Sequence, residues 1–173
     1  MKEKSTRLTG SADYWLSNII VQCKNQLNRV EVNMTPKIKN LIWEQCKPQN
    51  SNAQQYMLDC VDKNIRLSVT RSSVINAACD YVQGKAKKVN GTGNFTIAQW
   101  EKFEKEMEKV EKELVQKNNK IKTSVFYLKI SNESYLWVEK VRESLKGRRV
   151  PHFGYIIKVI IYIYCKDHKI SLQ

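Results

Sequence analysis

The spacing of apolar and polar positions changes several times along the chain, and each change predicts a different element. Apolar residues recur at steps of three and four over residues 11–26, which is typical of an amphipathic helix. Over residues 29–34 (RVEVNM) they alternate with polar residues, which is typical of a strand. Thr35 and Pro36 then supply an N-cap and a first helical position. The pattern therefore predicts helix, strand and helix in that order.

Helical spacing returns over residues 53–64 and again in a stretch that begins at Ser68 or Thr70. The second of these predicted helices has one apolar stripe, formed by Val74, Ile75, Ala78, Tyr81 and Val82. Gly84 stands where a C-terminal cap is expected. Residues 84–93 (GKAKKVNGTG) hold three glycines and three lysines, so they are predicted to be a linker.

The next predicted helix begins with Thr96 and Gln99, which have the spacing of a capping box. Its apolar seam, flanked by glutamate and lysine, contains Trp100, Phe103, Met107, Val110 and Leu114. The seam is short for a free-standing coiled coil. A connecting helix that packs on another part of the protein is therefore expected.

The C-terminal part repeats the order strand, helix, helix. Residues 122–130 alternate again, and Ser131 is placed to cap a helix that Gly147 ends. The segment Tyr155–Cys165 is apolar almost all round, so periodicity alone leaves helix and strand open. Its β-branched and aromatic content favours a strand, whereas Pro151 and the length of the segment favour a helix.

Charge points to a polyanionic partner. The chain has 30 Lys and Arg against 17 Asp and Glu, a net charge of +13. Residues 101–120 hold six Lys and six Glu, so the whole surplus lies outside that segment.

Several function classes are excluded by what the sequence lacks. The five cysteines are an odd number and none form CxxC, so neither a disulfide framework nor a metal motif is expected. No nucleotide-binding, metalloprotease or hydrolase motif occurs, and no acid–base pair stands out among two histidines and scattered acids. A protein that is not an enzyme and needs no cofactor or metal is expected. The N-terminus lacks the apolar core of a signal peptide, and the longest apolar run is about half a membrane span, so a cytoplasmic location is expected.

Two segments with this repeated order resemble the ribbon-helix-helix family of DNA-binding proteins. They are RVEVNMTPKI at 29–38 with VTRSSVINAACDYV at 69–82, and VFYLKISNES at 125–134 with GRRVPHFGYIIKVIIYIYC at 147–165. The resemblance covers about 100 of the 173 residues. The first copy departs from the family because some 20 residues (48–67) separate its helices, so an inserted helix or a plain helix-turn-helix is an alternative there.

The resemblance implies an α+β fold, mainly α with short strands, built from tandem ribbon-helix-helix units. The paired strands would form a two-stranded antiparallel ribbon, and a connecting helix would join the units. The implied boundaries are 1–28 for an N-terminal arm and short helix, 29–83 for the first unit, 84–121 for linker and connecting helix, and 122–173 for the second unit.

The resemblance also implies two sets of DNA contacts. One face of the ribbon would read bases in the major groove through Arg29, Glu31, Asn33, Val125, Tyr127 and Lys129. The N-termini of the second helices would bind phosphates through Thr70, Arg71, Ser72, Arg148, Arg149 and His152.

The resemblance implies that the protein binds double-stranded DNA in a sequence-specific manner. It would act as a plasmid-transfer (relaxosome) accessory protein beside a relaxase, or as a transcriptional regulator. The protein would be a monomer with an internal pseudo-dimer or a homodimer, and no membrane partner is expected. An RNA-binding module and a helical scaffold protein are the alternatives, which competition between duplex DNA, single strands and RNA would separate.

Overall fold

The computed structural model describes residues 2–45, 69–117, 124–145 and 151–173. Within these ranges it contains five helices and two strands. In chain order they are β1 (Lys2–Leu8), α1 (Gly10–Gln45), α2 (Arg71–Asn90), α3 (Ile97–Lys117), β2 (Ser124–Ile130), α4 (Asn132–Ser144) and α5 (Phe153–Asp167).

The chain divides into two compact units. The first contains residues 1–20 and 70–173, and the second contains residues 21–69. The described part of the second unit is the C-terminal portion of α1, where Val21 and Leu41 are exposed. The first unit contains both strands and the remaining helices, so it is the unit in which a site can be examined.

Helix α5 is the centre of the first unit. Eleven of its fifteen residues are buried, from Phe153 to Cys165. A helix that is apolar all round must be covered on every side, and here α2, α3, α4 and β1 all pack against it. The Trp15 ring of α1 also lies 5.9 Å from that of Tyr162. The apolar run that periodicity left open is therefore a buried helix.

One charged side chain lies within this apolar helix. Lys158 is 6% exposed, and its Nζ lies 2.8 Å from Oε2 of Glu111 on α3. The hydroxyl of Ser11 on α1 donates a hydrogen bond to Oε1 of the same carboxylate. A buried charge is tolerated only when it is paired and hydrogen-bonded. The carboxylate of Glu111 therefore links α3 to α5 and to α1 through two polar contacts.

The two strands form a single antiparallel pair along their whole length, from Lys2 opposite Ile130 to Leu8 opposite Ser124. Leu8, Leu128 and Ile130 are buried. The ribbon packs on α2 and α5 through this apolar face.

The predicted fold class is wrong. Tandem ribbon-helix-helix units in an α+β fold require a strand at the start of each unit, but residues 10–45 form one continuous helix. Helices dominate the described residues, and the first predicted unit does not begin with a strand.

The error lies in reading the alternation at 29–34 as a strand. Alternation is a local signal, whereas a strand needs a partner for its backbone groups. The segment Lys2–Leu8 already pairs with the whole of β2. A helix pairs its backbone groups internally and needs no partner strand. Helix α1 continues through Thr35 and Pro36, where a new helix was predicted to begin, although Pro36 has no N–H to donate to the carbonyl four residues earlier.

The predicted start of the linker at Gly84 is also wrong. Helix α2 continues to Asn90, and its C-cap is Gly91, whose φ of 73° is left-handed. An isolated glycine inside a helix costs only about 1 kcal/mol, and the following residues of α2 include the buried Ala86. Packing of this turn therefore outweighs the local glycine signal.

Other helix predictions are confirmed. Thr96 and Gln99 form the reciprocal capping hydrogen bonds, at 2.9 and 3.3 Å. The Ser131 side chain accepts a hydrogen bond from the Ser134 backbone N–H, as an N-cap does. The predicted helix over 53–64 lies outside the described residues.

Candidate nucleic-acid interface

The β1–β2 ribbon contains three of the predicted base-reading residues. Val125, Tyr127 and Lys129 lie in β2, where their backbones pair with Arg7, Ser5 and Glu3 of β1. They occupy the register positions that alternate with the buried Leu128 and Ile130.

Side chains of the helical core fix the end of the ribbon. Oδ1 of Asn76 on α2 accepts a hydrogen bond of 3.0 Å from the Ser131 backbone N–H, directly after β2. Ser131 then caps α4, so the strand passes into the helix without an intervening loop. One side-chain hydrogen bond therefore connects the C-terminal end of β2 to α2.

The other predicted base-reading residues are not in a strand. Arg29, Glu31 and Asn33 lie within α1, in the second unit. The strand over residues 29–34 in which they were placed is not formed, because these residues belong to a helix. The strand that does pair with β2 comes from residues 2–8, which the sequence pattern suggested only as a flexible arm.

Three predicted phosphate contacts begin helix α2. Thr70 is its N-cap and forms a capping box with Ser73. Arg71 and Ser72 follow, and Nη2 of Arg71 lies 3.1 Å from Oδ1 of Asp13 on α1. The Arg71 side chain is 46% exposed, so its charge remains accessible beside that ion pair.

The remaining predicted phosphate contacts lie at the start of α5. His152 is exposed and is the N-cap, but its side chain makes no capping hydrogen bond. Nε of Arg142 donates a hydrogen bond of 2.9 Å to the Pro151 carbonyl, which fastens this turn to α4. Arg148 and Arg149 lie outside the described residues.

Helix α3 presents a basic surface that the sequence analysis missed. Lys102, Lys105, Lys109 and Lys112 are all exposed, and they are separated by three, four and three residues. At 3.6 residues per turn they fall within an arc of about 80°, opposite the buried Met107. We call these four residues the lysine face.

The glutamates of the same helix occupy its flanks, where four of them contact other parts of the first unit. Glu106 pairs with Lys166 at 2.5 Å, and Glu111 pairs with Lys158 at 2.8 Å. Glu108 lies 3.5 Å from the Tyr155 hydroxyl, and Glu113 accepts a hydrogen bond of 2.6 Å from Gln173. A segment whose charges sum to zero is therefore basic on its outer face.

The pKa values of two neighbouring side chains reflect these acids. Burial, and then the nearby Glu104 and Glu108, raise the pKa of Tyr155. The hydrogen bond to Glu106 raises the pKa of Lys166. Both shifts follow from the position of these glutamates beside α5.

Comparisons with protein-family models, with curated proteins and with solved structures find no match for this chain. Among the described residues, no helix is long and apolar enough to cross a membrane. The same part of the chain holds no group of three or more metal-ligating His, Cys, Asp or Glu side chains.

Proposed function

We propose that this protein binds double-stranded DNA in a sequence-specific manner, with the β1–β2 ribbon as the element that enters the major groove. The observation that carries the proposal is the ribbon itself, an antiparallel pair whose one apolar face is buried in the core. A two-stranded ribbon has the right width for the major groove.

Charge supports the choice of DNA as the partner. The chain has a net charge of +13, and counterion release from phosphates makes such a surplus favourable for binding. Val125, Tyr127 and Lys129 are the proposed base-reading residues of β2. The valine and tyrosine offer apolar contact with a thymine methyl group, and the lysine offers a donor for guanine.

The substitution Lys129→Ala tests this proposal. We expect binding to a duplex selected by the protein from a random pool to weaken by about 1–3 kcal/mol, with little change in melting temperature. Lys140→Ala is the matched control, because Lys140 is an exposed lysine of α4 and its loss changes the charge equally. If the two variants lose the same affinity, or if RNA competes better than duplex DNA, the proposal is wrong.

The biological process is a further part of the proposal. A plasmid-transfer accessory role and a transcriptional role both involve a duplex site in the cytoplasm, and only the sequence resemblance supports either of them. A gel shift on DNA from a transfer origin, with and without the relaxase, distinguishes the two. Enhanced relaxase loading favours the accessory role, whereas binding confined to promoter DNA favours regulation.

A further inference from the structure

We propose that the lysine face of α3 is a second DNA-binding surface, which contacts the phosphate backbone of a duplex without reading its sequence. The choice of duplex DNA as the polyanion rests on the proposed function. The existence of the surface does not, because it follows from the charge distribution on α3.

The charges of α3 are segregated between the lysine face and its flanks. A helix with alternating lysine and glutamate is usually a solvated surface whose charges cancel locally. Here Lys102, Lys105, Lys109 and Lys112 make no ion pair with any described residue, while the glutamates on the flanks contact α5 and the C-terminal residues. These four acids of α3 thus have their partners on α5 and at the C-terminal residues rather than on the lysine face.

The lysines of the lysine face are evenly spaced along α3. From Lys102 to Lys112 the helix rises about 15 Å, since each residue adds about 1.5 Å. Phosphates of one DNA strand follow one another every 3.4 Å or so along the duplex axis, so about four of them span the same length. The strand winds around the axis, so these phosphates do not form a straight row, but both strands together carry about one charge per 1.7 Å of axis. The long lysine side chains therefore meet closely spaced negative charge along the whole lysine face.

A membrane surface and an acidic protein fit the lysine face less well than a duplex does. A helix that lies on a membrane inserts its apolar face into the lipid. The apolar face of α3 is already covered, because Trp100, Met107 and Leu114 are fully buried in the first unit. An acidic protein would offer irregular charges, whereas the even spacing of the lysine face fits a regular polyanion better.

The test replaces all four lysines of the lysine face with glutamine, which keeps the helix propensity high. A matched control replaces four other exposed lysines with glutamine, Lys87, Lys88, Lys140 and Lys169, so both variants lose the same charge from a total of +13. Binding to a short duplex of arbitrary sequence is measured across a range of salt concentrations. Thermal melting verifies that both variants are folded.

We expect the lysine-face variant to bind this duplex about tenfold or more weakly, and the slope of log K against log[salt] to fall in magnitude by about 0.9 for each lost phosphate contact. The control should retain most of the affinity and slope. Equal losses in the two variants would overturn the proposal, because net charge alone would then explain them. A larger loss on single-stranded RNA, on an acidic peptide or on anionic vesicles than on the duplex would also overturn it.

The two proposals fail in different ways. The lysine-face variant should weaken a selected and an arbitrary duplex equally, whereas Lys129→Ala should weaken only the selected one. If Lys129→Ala has no effect while the lysine-face variant loses affinity, the ribbon proposal is wrong and the α3 surface stands. If the reverse holds, the lysine face is a solvated surface and the ribbon proposal stands.

Discussion

Replacing Glu111 with alanine removes the acid that holds the buried Lys158. In the wild-type chain the Lys158 ammonium is 2.8 Å from Oε2 of Glu111, and its side chain is 7% exposed. Ser11 donates a hydrogen bond to the other carboxylate oxygen, and the Tyr155 ring lies 5.2 Å from the ammonium. Of these contacts, only the one between the Lys158 ammonium and the aromatic face of Tyr155 remains after the substitution.

The cost follows from the burial of the lysine. Removing one partner of a buried ion pair typically destabilises a protein by about 3–5 kcal/mol, because the other charge is left uncompensated. Glu111 is 22% exposed, so water can reach part of the vacated space and the lower end of that range is expected. For a chain of this size that corresponds to a decrease in melting temperature of about 10 °C.

Urea and thermal unfolding of four variants measure this effect. Glu108→Ala is the control, because Glu108 is an exposed acid of the same helix and its loss should cost no more than about 0.5 kcal/mol. Lys158→Met fills the same space without a charge and should be close to neutral or stabilising. The double substitution Glu111→Ala, Lys158→Met should recover most of the stability that Glu111→Ala loses.

The recovery in the double variant is the decisive result. If Glu111→Ala costs less than about 1 kcal/mol, Lys158 is not held as a buried charge. If the double variant is as unstable as Glu111→Ala alone, the loss comes from packing of α3 rather than from the ion pair.

Three further predictions concern the core, a helix end and the thiols. Leu128→Ala should cost about 2–5 kcal/mol in urea unfolding, since Leu128 is 1% exposed; a cost under 1 kcal/mol would contradict its place in the core. Gly91→Ala should destabilise by about 1–2 kcal/mol because the residue has a φ of +73°, whereas Gly84→Ala should stabilise by about 0.5–1 kcal/mol because it is helical with open space around it. Equal effects of the two would refute this. Burial raises the pKa of Cys165 to about 12, so roughly one molecule in 10,000 carries the Cys165 thiolate at pH 8. Alkylation followed by mass spectrometry should therefore show that Cys165 reacts far more slowly than the half-buried Cys23.

Local signals were sufficient for several elements of the fold. The capping box at Thr96 and the N-cap at Ser131 depend on side chains three residues apart, so the sequence alone reveals them. The strand at Ser124–Ile130 was likewise indicated by its alternation. These features need no knowledge of distant partners.

The strand prediction at residues 29–34 was wrong because the formation of a strand depends on a distant partner. Residues 29–34 alternate as clearly as 124–130 do, but only the second segment has a partner strand, and that partner is Lys2–Leu8. The N-terminal segment gave no alternating apolar pattern, because Leu8 is the only apolar residue among residues 2–8. The alternating pattern therefore predicted β2 correctly, but the second strand that it predicted, at residues 29–34, is not the partner of β2.

The two candidate DNA-binding surfaces, the β1–β2 ribbon and the lysine face, also depend partly on local sequence and partly on tertiary packing. The sequence by itself determined the basic surplus and the alternation around Lys129, because both are properties of composition and of neighbouring residues. Only the tertiary structure decided which charges remain on the outside. Residues 101–120 sum to zero, and packing of α3 on α5 draws Glu106 and Glu111 into ion pairs while the lysine face stays exposed. A sum of charges along a sequence carries no direction, whereas a helix packed on one side separates its charges between an inner and an outer face.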